Sequence, residues 1–509
     1  MPRHYSGKRQ RDLKHVEPHA SGYISLLYWI GTITTGCILI FCGKQHCFND
    51  AMAHWARILQ IRAGNIIPVF SDEYHDWVVY RDHGKIITFN NTAVNAPFVY
   101  FPSLIVRGNF RVSSVATLIC SATIIAVAIW VAKSYVNIIL AIAILPTTFF
   151  FSMIFPTADA VTNSYCLLFI AVVLCLYQRD DMLQYWHIAL LCMMGALLGQ
   201  VKITCFIIAL FVLFLIPKAH GCVKKITLAL PALTAFVSMW LWRAKTSQIA
   251  VAPNRVPLEK THELEGQLLQ SSWKIFPLIG RSLFEPMDFD TEKINGQLVN
   301  SRRNLQFFTG TEEIQLPLIV MAPVLIAIMM LLIVHMSYKN INKLQVGLIV
   351  LIIVLYYVLS CVAMSITWVG NVDVYASGLQ NRYFIPVLPL AALLFPNFIR
   401  DENINRRVLA ISVAALTAFS YIAIAITYVI NGNDSWKKAE VSPDSSKNHT
   451  ESYGGCYLLG IPMRGVVPVA AFADDKCTVA IDTLLALFAL LAESTTDVFS
   501  SGISRIVIA

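Results

Sequence analysis

Residues 22–42 read GYISLLYWIGTITTGCILIFC, an apolar run long enough to cross the hydrocarbon core of a bilayer. The residues before it are rich in positive charge: Arg3, Lys8, Arg9, Arg11 and Lys14. No small-residue cleavage site follows the run. The pattern predicts an uncleaved signal anchor whose basic N-terminus, residues 1–21, lies in the cytoplasm.

Similar apolar runs recur along the chain, in which 56% of the 509 residues are hydrophobic and only 14% are charged. They lie at about 112–132, 135–155, 158–177, 186–200, 203–217, 224–243, 315–337, 345–367, 383–399 and 407–430. The sequence therefore predicts an all-α polytopic membrane protein with about eleven transmembrane helices over residues 22–430. Residues 478–493, interrupted by Asp482, are a candidate for a twelfth span in the otherwise divergent, partly flexible tail 431–509.

The net charge of +8 is spread over short loops, so it indicates membrane topology and gives no support for nucleic-acid binding. Threading the runs places loops 43–111 and 244–314 outside. The pattern of residues 77–89 predicts a small β-hairpin in the first loop. Residues 273–278 are predicted to form an amphipathic surface segment in the second loop. No phosphate-binding or dinucleotide-binding glycine motif occurs, so an ATP-driven pump and a dinucleotide enzyme lack support.

The stretch NDAMAHWARILQI, residues 49–61, follows the first span almost immediately. Four apolar residues share one face at helical spacing: Met52, Trp55, Ala56 and Leu59. This spacing predicts a helix lying on the membrane surface, with His54 and Arg57 on the other side and Asp50 at its start. Either these three polar groups gather for chemistry, or Asp50 is a helix cap and the other two are solvated.

Three further polar residues fall at outer ends of predicted spans. Asp159 opens the fourth span and would ordinarily be an N-cap. Lys202 lies in a turn between two short runs, where a snorkelling lysine is the ordinary explanation. Arg382 precedes the tenth span, where an outward-facing arginine departs from the inside bias of positive charge. A separate acidic group could hold a divalent ion, although a solvated hairpin explains it as well: Asp72, Glu73, His75, Asp76, Asp82 and His83.

These segments resemble a widespread family of bacterial predicted membrane proteins that is catalogued as a domain of unknown function. Residues 49–54 look like its PDE-x-x-H opening, residues 159–163 like its D-A-x-x-N segment, and Lys202 like its lysine after a glycine-containing turn. Residues 378–386, GLQNRYFIP, look like its G-x-Q-G-R-Y-F-x-P hallmark. This family in turn is similar to the GT-C glycosyltransferases, multi-span enzymes that take sugars from polyprenyl-phosphate donors on the outer face of the membrane.

Three positions depart from the family pattern. Ala51 stands where the family has a second acid, Asn49 replaces its proline, and Asn381 replaces the glycine before the arginine. The loss of one of two adjacent acids weighs against a metal-bridging role more than against a general-base role. The metal requirement stays open, with a divalent cation as the one cofactor to consider.

The resemblance implies a glycosyltransferase in the bacterial cytoplasmic membrane that moves a sugar from a polyprenyl-phosphate donor to an envelope glycan or lipid. Asp50 would be the base, and Asp159 a second acid that holds the acceptor or an ion. Arg382 and Lys202 would clamp the donor phosphate. The remaining hallmark and helix residues would support them: His54, Arg57, Gln380 and Tyr383.

Two alternatives remain. A transporter or lipid flippase would bury charged sites near the middle of its spans, whereas the candidates here crowd the outer ends. A catalytically inactive scaffold for envelope assembly is the other alternative, which the Ala51 departure keeps open.

Overall fold

The computed structural model describes residues 18–440, except 44–49, 71–76, 83–84, 147, 149–151, 285–289, 295–296, 302–317, 335–340, 377–378 and 396–404. The first half of the chain contains α1 (Pro18–Cys42), α2 (Ala51–Arg62), α3 (Asn90–Ala93), α4 (Phe101–Ile105), α5 (Phe110–Ala132), α6 (Val136–Ala143), α7 (Ala158–Gln178), α8 (Tyr185–Leu198), α9 (Cys222–Thr227) and α10 (Leu230–Lys245). The second half contains α11 (Leu258–Gln270), α12 (Ile275–Phe284), α13 (Leu318–Ile333), α14 (Lys343–Met364), α15 (Leu388–Leu393) and α16 (Arg406–Glu440).

Tightly wound 3₁₀ helices connect or extend these elements at Pro97–Tyr100, Lys133–Tyr135, Ile203–Lys218, Ser272–Lys274 and Asn381–Val387. A wider π-turn, Ser365–Val369, continues α14. Two antiparallel hairpins complete the described chain: β1 (Val79–Asp82) with β2 (Lys85–Thr88), and β3 (Asp290–Ile294) with β4 (Gln297–Ser301). The hairpin that the sequence predicts within 77–89 is therefore present.

Six helices of the described chain are long and apolar enough to cross a membrane. They are Ser21–Cys42, Phe110–Ala143, Ala158–Gln178, Cys222–Lys245, Lys343–Val369 and Val408–Ile426. Four shorter apolar helices account for further predicted runs: Tyr185–Leu198, Ile203–Lys218, Val320–Ile333 and Arg382–Leu393. The multi-span helical architecture is confirmed, while the runs predicted at 112–132 and 135–155 share one stretch, Phe110–Ala143.

The first and second large loops lie together at one end of the helices, here called the site end. The Asn90 side-chain amide donates to the Ala250 carbonyl at 3.0 Å, and the Trp242 indole donates to the Val94 carbonyl at 2.7 Å. A small apolar core under the hairpin joins the same two loops, because Ile249 packs with Val78 and Phe89.

The opposite end, here called the basic end, gathers the connections between the other helix termini. The Ser134 amide donates to the Gln178 side chain at 2.9 Å, and the Gln345 side chain donates to the Phe214 carbonyl at 3.1 Å. Lys224 reaches the Leu183 carbonyl at 3.1 Å. Successive long helices therefore run between two distinct ends, as the threaded topology requires.

The prediction that α2 lies on the membrane surface with a solvated polar side is wrong. Nine of its twelve residues are buried, including both His54 and Arg57. Small residues explain the difference, because Ala53 and Ala56 let the hairpin segment and α3 pack closely against the helix. α2 is enclosed by protein on nearly every side.

The last described helix, α16, continues to Glu440, ten residues beyond the predicted boundary at 430. The candidate twelfth span at 478–493 lies outside the described residues. Among the described residues, the second large loop contains α11 and α12, and α12 is the amphipathic segment that residues 273–278 predict.

Candidate functional site

The candidate site is built around the carboxylate of Asp159 in the first turn of α7. The helix is capped by Thr157, whose hydroxyl oxygen accepts from the Asp159 backbone N–H at 3.3 Å. Interpreting Asp159 as the N-cap is therefore wrong, and its side chain is available for other partners. Asp159 is buried, so its negative charge requires compensation by neighbouring groups.

Two cations from distant parts of the chain provide that compensation. Lys202 Nζ lies 2.9 Å from Asp159 Oδ1, and Arg382 Nε lies 3.4 Å from Asp159 Oδ2. The side chain of Arg382 is only 10% exposed and that of Lys202 is 30% exposed. Lys202 therefore pairs with a buried carboxylate and is not the snorkelling lysine that its sequence position also allowed.

A close helix contact positions Lys202. A Cβ atom at Gly199 would stand 2.2 Å from the Ala235 carbonyl oxygen, so only glycine fits where α8 ends against α10. The Gln200 amide donates to the Ser238 carbonyl at 2.7 Å and fixes the same turn. Lys202 then precedes the helix Ile203–Lys218.

Tyr383 forms the aromatic wall of this ion cluster. Lys202 Nζ lies 4.0 Å from the centre of the Tyr383 ring, and Arg382 Cζ lies 5.5 Å from it. The Tyr356 hydroxyl donates to the Tyr383 carbonyl at 2.8 Å and holds that backbone. Both cations are thus stabilised by an aromatic face as well as by a carboxylate.

His54 connects α2 to the start of α7. Its Nδ1 lies 2.7 Å from the Tyr100 hydroxyl and its Nε2 lies 3.3 Å from the Thr157 hydroxyl. The Asn95 amide donates to the Tyr100 oxygen at 3.2 Å, which leaves the Tyr100 proton for His54 Nδ1. This arrangement fits the tautomer in which His54 Nε2 carries the imidazole proton and donates to Thr157.

Burial lowers the pKa of His54 to about 4, although the nearby carboxylates of Asp50 and Asp159 oppose that change. Lys202 and Arg382 lower the pKa further. His54 is therefore neutral at pH 7, and its electrostatic neighbours are the charged residues Asp50, Asp159, Lys202 and Arg382.

Asp50 has an unusual backbone conformation directly before α2. Its φ of 63° lies in the left-handed region, and its side chain makes no capping hydrogen bond. The carboxylate instead accepts from the Asn91 amide at 2.7 Å. The interpretation of Asp50 as a side-chain N-cap is wrong, and its backbone is in the left-handed conformation that aspartate adopts more readily than most residues.

Arg57 forms hydrogen bonds that are separate from those of the ion cluster. Its guanidinium donates to the Ile66 carbonyl at 2.6 Å and the Gln60 side-chain oxygen at 2.9 Å. These bonds fold the segment after α2 back onto the helix. Gln380 immediately precedes the helix that carries Arg382 and Tyr383, and its side-chain oxygen is buried.

The structure thus brings Asp159, Lys202, Arg382 and Tyr383 into contact, and joins them to Asp50 through α2. Four residues of the network were not singled out by sequence reasoning: Asn91, Asn95, Tyr100 and Thr157. Tyr100 lies in the proline-bounded segment 97–102, whose stiffness is a sequence signal for a fixed side chain.

Metal binding has no visible centre among the described residues, where no group of three His, Cys, Asp or Glu side chains is placed to hold an ion. The candidate acidic group falls mostly outside them: Asp72, Glu73, His75, Asp76 and His83 are not described, nor is the side chain of Asp82.

The family model for "Predicted membrane protein (DUF2142)" matches residues 78–391, more than half of the chain. The chain belongs to the DUF2142 family. Asp159, Lys202 and Arg382 lie within the DUF2142 match, whereas Asp50 and His54 precede it. No curated protein and no solved structure matches the chain.

Proposed function

We propose that this DUF2142 protein is a membrane glycosyltransferase of the GT-C kind. It would take a sugar from a polyprenyl-phosphate donor and transfer it to an envelope glycan or lipid on the outer face of the bacterial cytoplasmic membrane. The observation that carries the proposal is the pairing of two cations, Lys202 and Arg382, with the single carboxylate of Asp159.

The two cations leave an excess of one positive charge around Asp159, which suits an incoming phosphate. Three helices also begin at this cluster: α7 at Ala158, and the 3₁₀ helices at Ile203 and Asn381. The positive ends of their backbone dipoles point toward the same region. In the reaction, the departing polyprenyl phosphate gains negative charge, and preorganised cations stabilise that charge in the transition state.

The two carboxylates are suited to different tasks. Asp159 is buried between two cations, so it is a poor proton acceptor and instead orients Lys202 and Arg382. Asp50 is half-buried and, among the described residues, its side chain contacts the neutral amide of Asn91. A base is needed to take the proton of the acceptor hydroxyl, and Asp50 is the better candidate.

His54 would position these two groups. It lies one helical turn after Asp50, and its ring is hydrogen-bonded to Thr157, which caps the helix carrying Asp159. Neutral His54 therefore fixes the separation of the two carboxylates and takes no proton itself at pH 7.

The charge distribution supports an outer location for the site. Basic residues of the short connections lie at the basic end, opposite the cluster: Lys133, Arg179, Lys218, Lys224, Lys225 and Lys343. By the positive-inside rule, this distribution supports a cytoplasmic N-terminus and a site end on the outside. We also propose more than six crossings, because a 16-residue 3₁₀ helix such as Ile203–Lys218 extends about 32 Å at roughly 2 Å per residue.

A transporter is less well supported by this arrangement. A transport site lies near the bilayer midplane and uses broken helices there. Asp159, Lys202 and Arg382 instead lie at the starts of their helices, beside the large loops. The arrangement favours chemistry at the membrane surface.

The direct test is hydrolysis of polyprenyl-phosphate hexoses by purified protein in lipid nanodiscs, where water takes the place of the acceptor hydroxyl and the released sugar is measured. Asp50→Asn should abolish release, because asparagine can occupy the same position but cannot accept a proton. Glu259→Gln is the matched control, since Glu259 is an exposed acid on α11. Equal release by the wild type and Asp50→Asn, or release by neither across the donor panel, would overturn the assignment.

A further inference from the structure

The short helix α12 has an apolar side that faces away from the protein. Phe276 is 78% exposed and Phe284 is 88% exposed, and Leu283 is exposed on the same face. These residues are separated by seven or eight positions, so they form one stripe along the helix. Trp273, directly before α12, is also exposed. An exposed stripe of this kind requires a partner.

The other side of α12 is attached to the end of a membrane-spanning helix. Ile275 packs in a cluster with Val362 of α14 and Ile366 of the π-turn that continues it. These residues belong to the candidate span Lys343–Val369. α12 therefore lies beside the end of that candidate span, with its apolar stripe facing away from the protein.

The buried side of α12 also holds the segment that leads to the ion cluster. Ser282 is buried, and its hydroxyl accepts from the Ala376 backbone N–H at 3.0 Å while donating to the Leu278 carbonyl at 2.8 Å. Lys274 pairs with Asp373 at 3.4 Å, and Arg281 donates to the Asp373 carbonyl. Residues 371–376 are thus attached to α12 at two points.

The contact continues from this segment to the site. Ala376 and Leu379 are buried together with Cys361, and the side chain of Tyr383 packs against them. Tyr383 is the aromatic wall beside Lys202, and Arg382 precedes it. A continuous series of contacts therefore joins the exposed stripe of α12 to the residues around Asp159.

We propose that α12 binds the outer surface of the bilayer, with Phe276, Leu283 and Phe284 inserted among the lipids. This binding fixes residues 371–376 and, through them, the position of Tyr383. A phospholipid bilayer is the partner that fits, because the stripe is apolar and aromatic and lies beside the end of a span. The consequence for Arg382 and the phosphate rests on the proposed function, whereas the lipid contact does not.

The first experiment locates α12 relative to lipid in the full-length protein. A fluorescent amino acid replaces Phe276, and the protein is reconstituted in vesicles of phosphatidylcholine with or without bromine on the upper acyl chain. Insertion to about 5–10 Å predicts about a twofold loss of fluorescence with brominated lipid. The same probe at His262, an exposed polar position of α11, should lose little. An unquenched probe at Phe276 would overturn the proposal.

The second experiment measures the connection to residues 371–376 by hydrogen–deuterium exchange in nanodiscs. Ser282→Ala removes the acceptor of the Ala376 amide and should speed its exchange about tenfold, as expected for one lost hydrogen bond. Ser247→Ala is the control, because Ser247 is a partly exposed serine whose hydroxyl donates to the Ala244 carbonyl within its own turn. Unchanged exchange at Ala376 would contradict the connection.

The third comparison joins the two parts of the proposal. Replacing Phe276 and Phe284 with serine should speed exchange across 371–376, because α12 then loses its lipid contact. The control makes the same kind of change at Val223 and Ile226, exposed apolar residues at the basic end. If the wild-type protein self-associates and the Phe276 and Phe284 changes abolish this association, the stripe binds a second copy of the chain. That result would overturn the proposal. None of these three experiments measures sugar transfer, so their outcomes are independent of the proposed function.

Discussion

The substitution Asp159→Asn removes the one negative charge that two partly buried cations share. Asparagine has nearly the same shape, so helix α7 and its Thr157 cap remain. Lys202 and Arg382 then lose a charged partner while their surroundings stay largely dry, with the Arg382 side chain only 10% exposed. The change therefore tests whether the ion cluster stabilises the fold as well as the site.

The size of the stability loss in Asp159→Asn depends on how far Asp159, Lys202 and Arg382 are buried. Removing one partner of a buried ion pair costs about 3–5 kcal/mol, because the remaining charge is left uncompensated. Lys202 is 30% exposed and can turn toward water, so the lower part of that range applies. We therefore expect Asp159→Asn to lower the free energy of unfolding by about 3 kcal/mol.

The assay is equilibrium unfolding in mixed detergent micelles, followed by circular dichroism. The double variant Asp159→Asn with Lys202→Met should recover part of the loss, because it removes one of the two unpaired cations. Glu263→Gln, which breaks the exposed pair with Lys260, is the control and should change stability by less than about 1 kcal/mol. A loss for Asp159→Asn no larger than that of the control would refute the reasoning.

Three further predictions concern the reaction and its pH dependence. Arg382→Lys should lower sugar transfer roughly 30- to 1000-fold while leaving the protein folded, since a point charge cannot replace a guanidinium that binds phosphate through two bonds; near-normal transfer would contradict the clamp. Tyr100→Phe should lower transfer, because His54 Nδ1 loses its donor and the imidazole tautomer is no longer fixed, and nuclear magnetic resonance of labelled His54 should show both tautomers. Folded His54 has a pKa of about 4 against about 6.5 when unfolded, so its contribution to stability is complete above pH 6.5 and is lost as the pH falls toward 4, by about 3 kcal/mol in all. Unfolding of the wild type and His54→Gln at several pH values checks this, and parallel pH profiles would contradict it.

Much of the architecture follows from hydropathy and charge. The apolar runs predict the helices, and the short basic loops predict which helix ends lie together. Asp159, Lys202 and Arg382 could therefore be assigned to one end of the bundle from the sequence alone. Their contact could not be derived, because it depends on how α7 packs against the helices at Ile203 and Asn381.

The errors have a common physical origin in tertiary burial. Arg57 satisfies the periodicity of a solvated face, yet it is buried because three nearby oxygen atoms accept its protons. Tyr100 and Thr157 carry no charge and belong to no spacing pattern, so their contact with His54 appears only in the folded chain. Side-chain networks between distant segments are the part that a single sequence does not reveal.

The most direct test of the proposed function is transfer from a labelled donor in proteoliposomes of uniform orientation. Labelled polyprenyl-phosphate sugar is added to one leaflet at a time, with wild type beside Asp50→Asn. We predict release of polyprenyl phosphate only when the donor is on the side opposite the N-terminus, and none from Asp50→Asn. Release confined to the side of the N-terminus, or equal release by the two proteins, would contradict it.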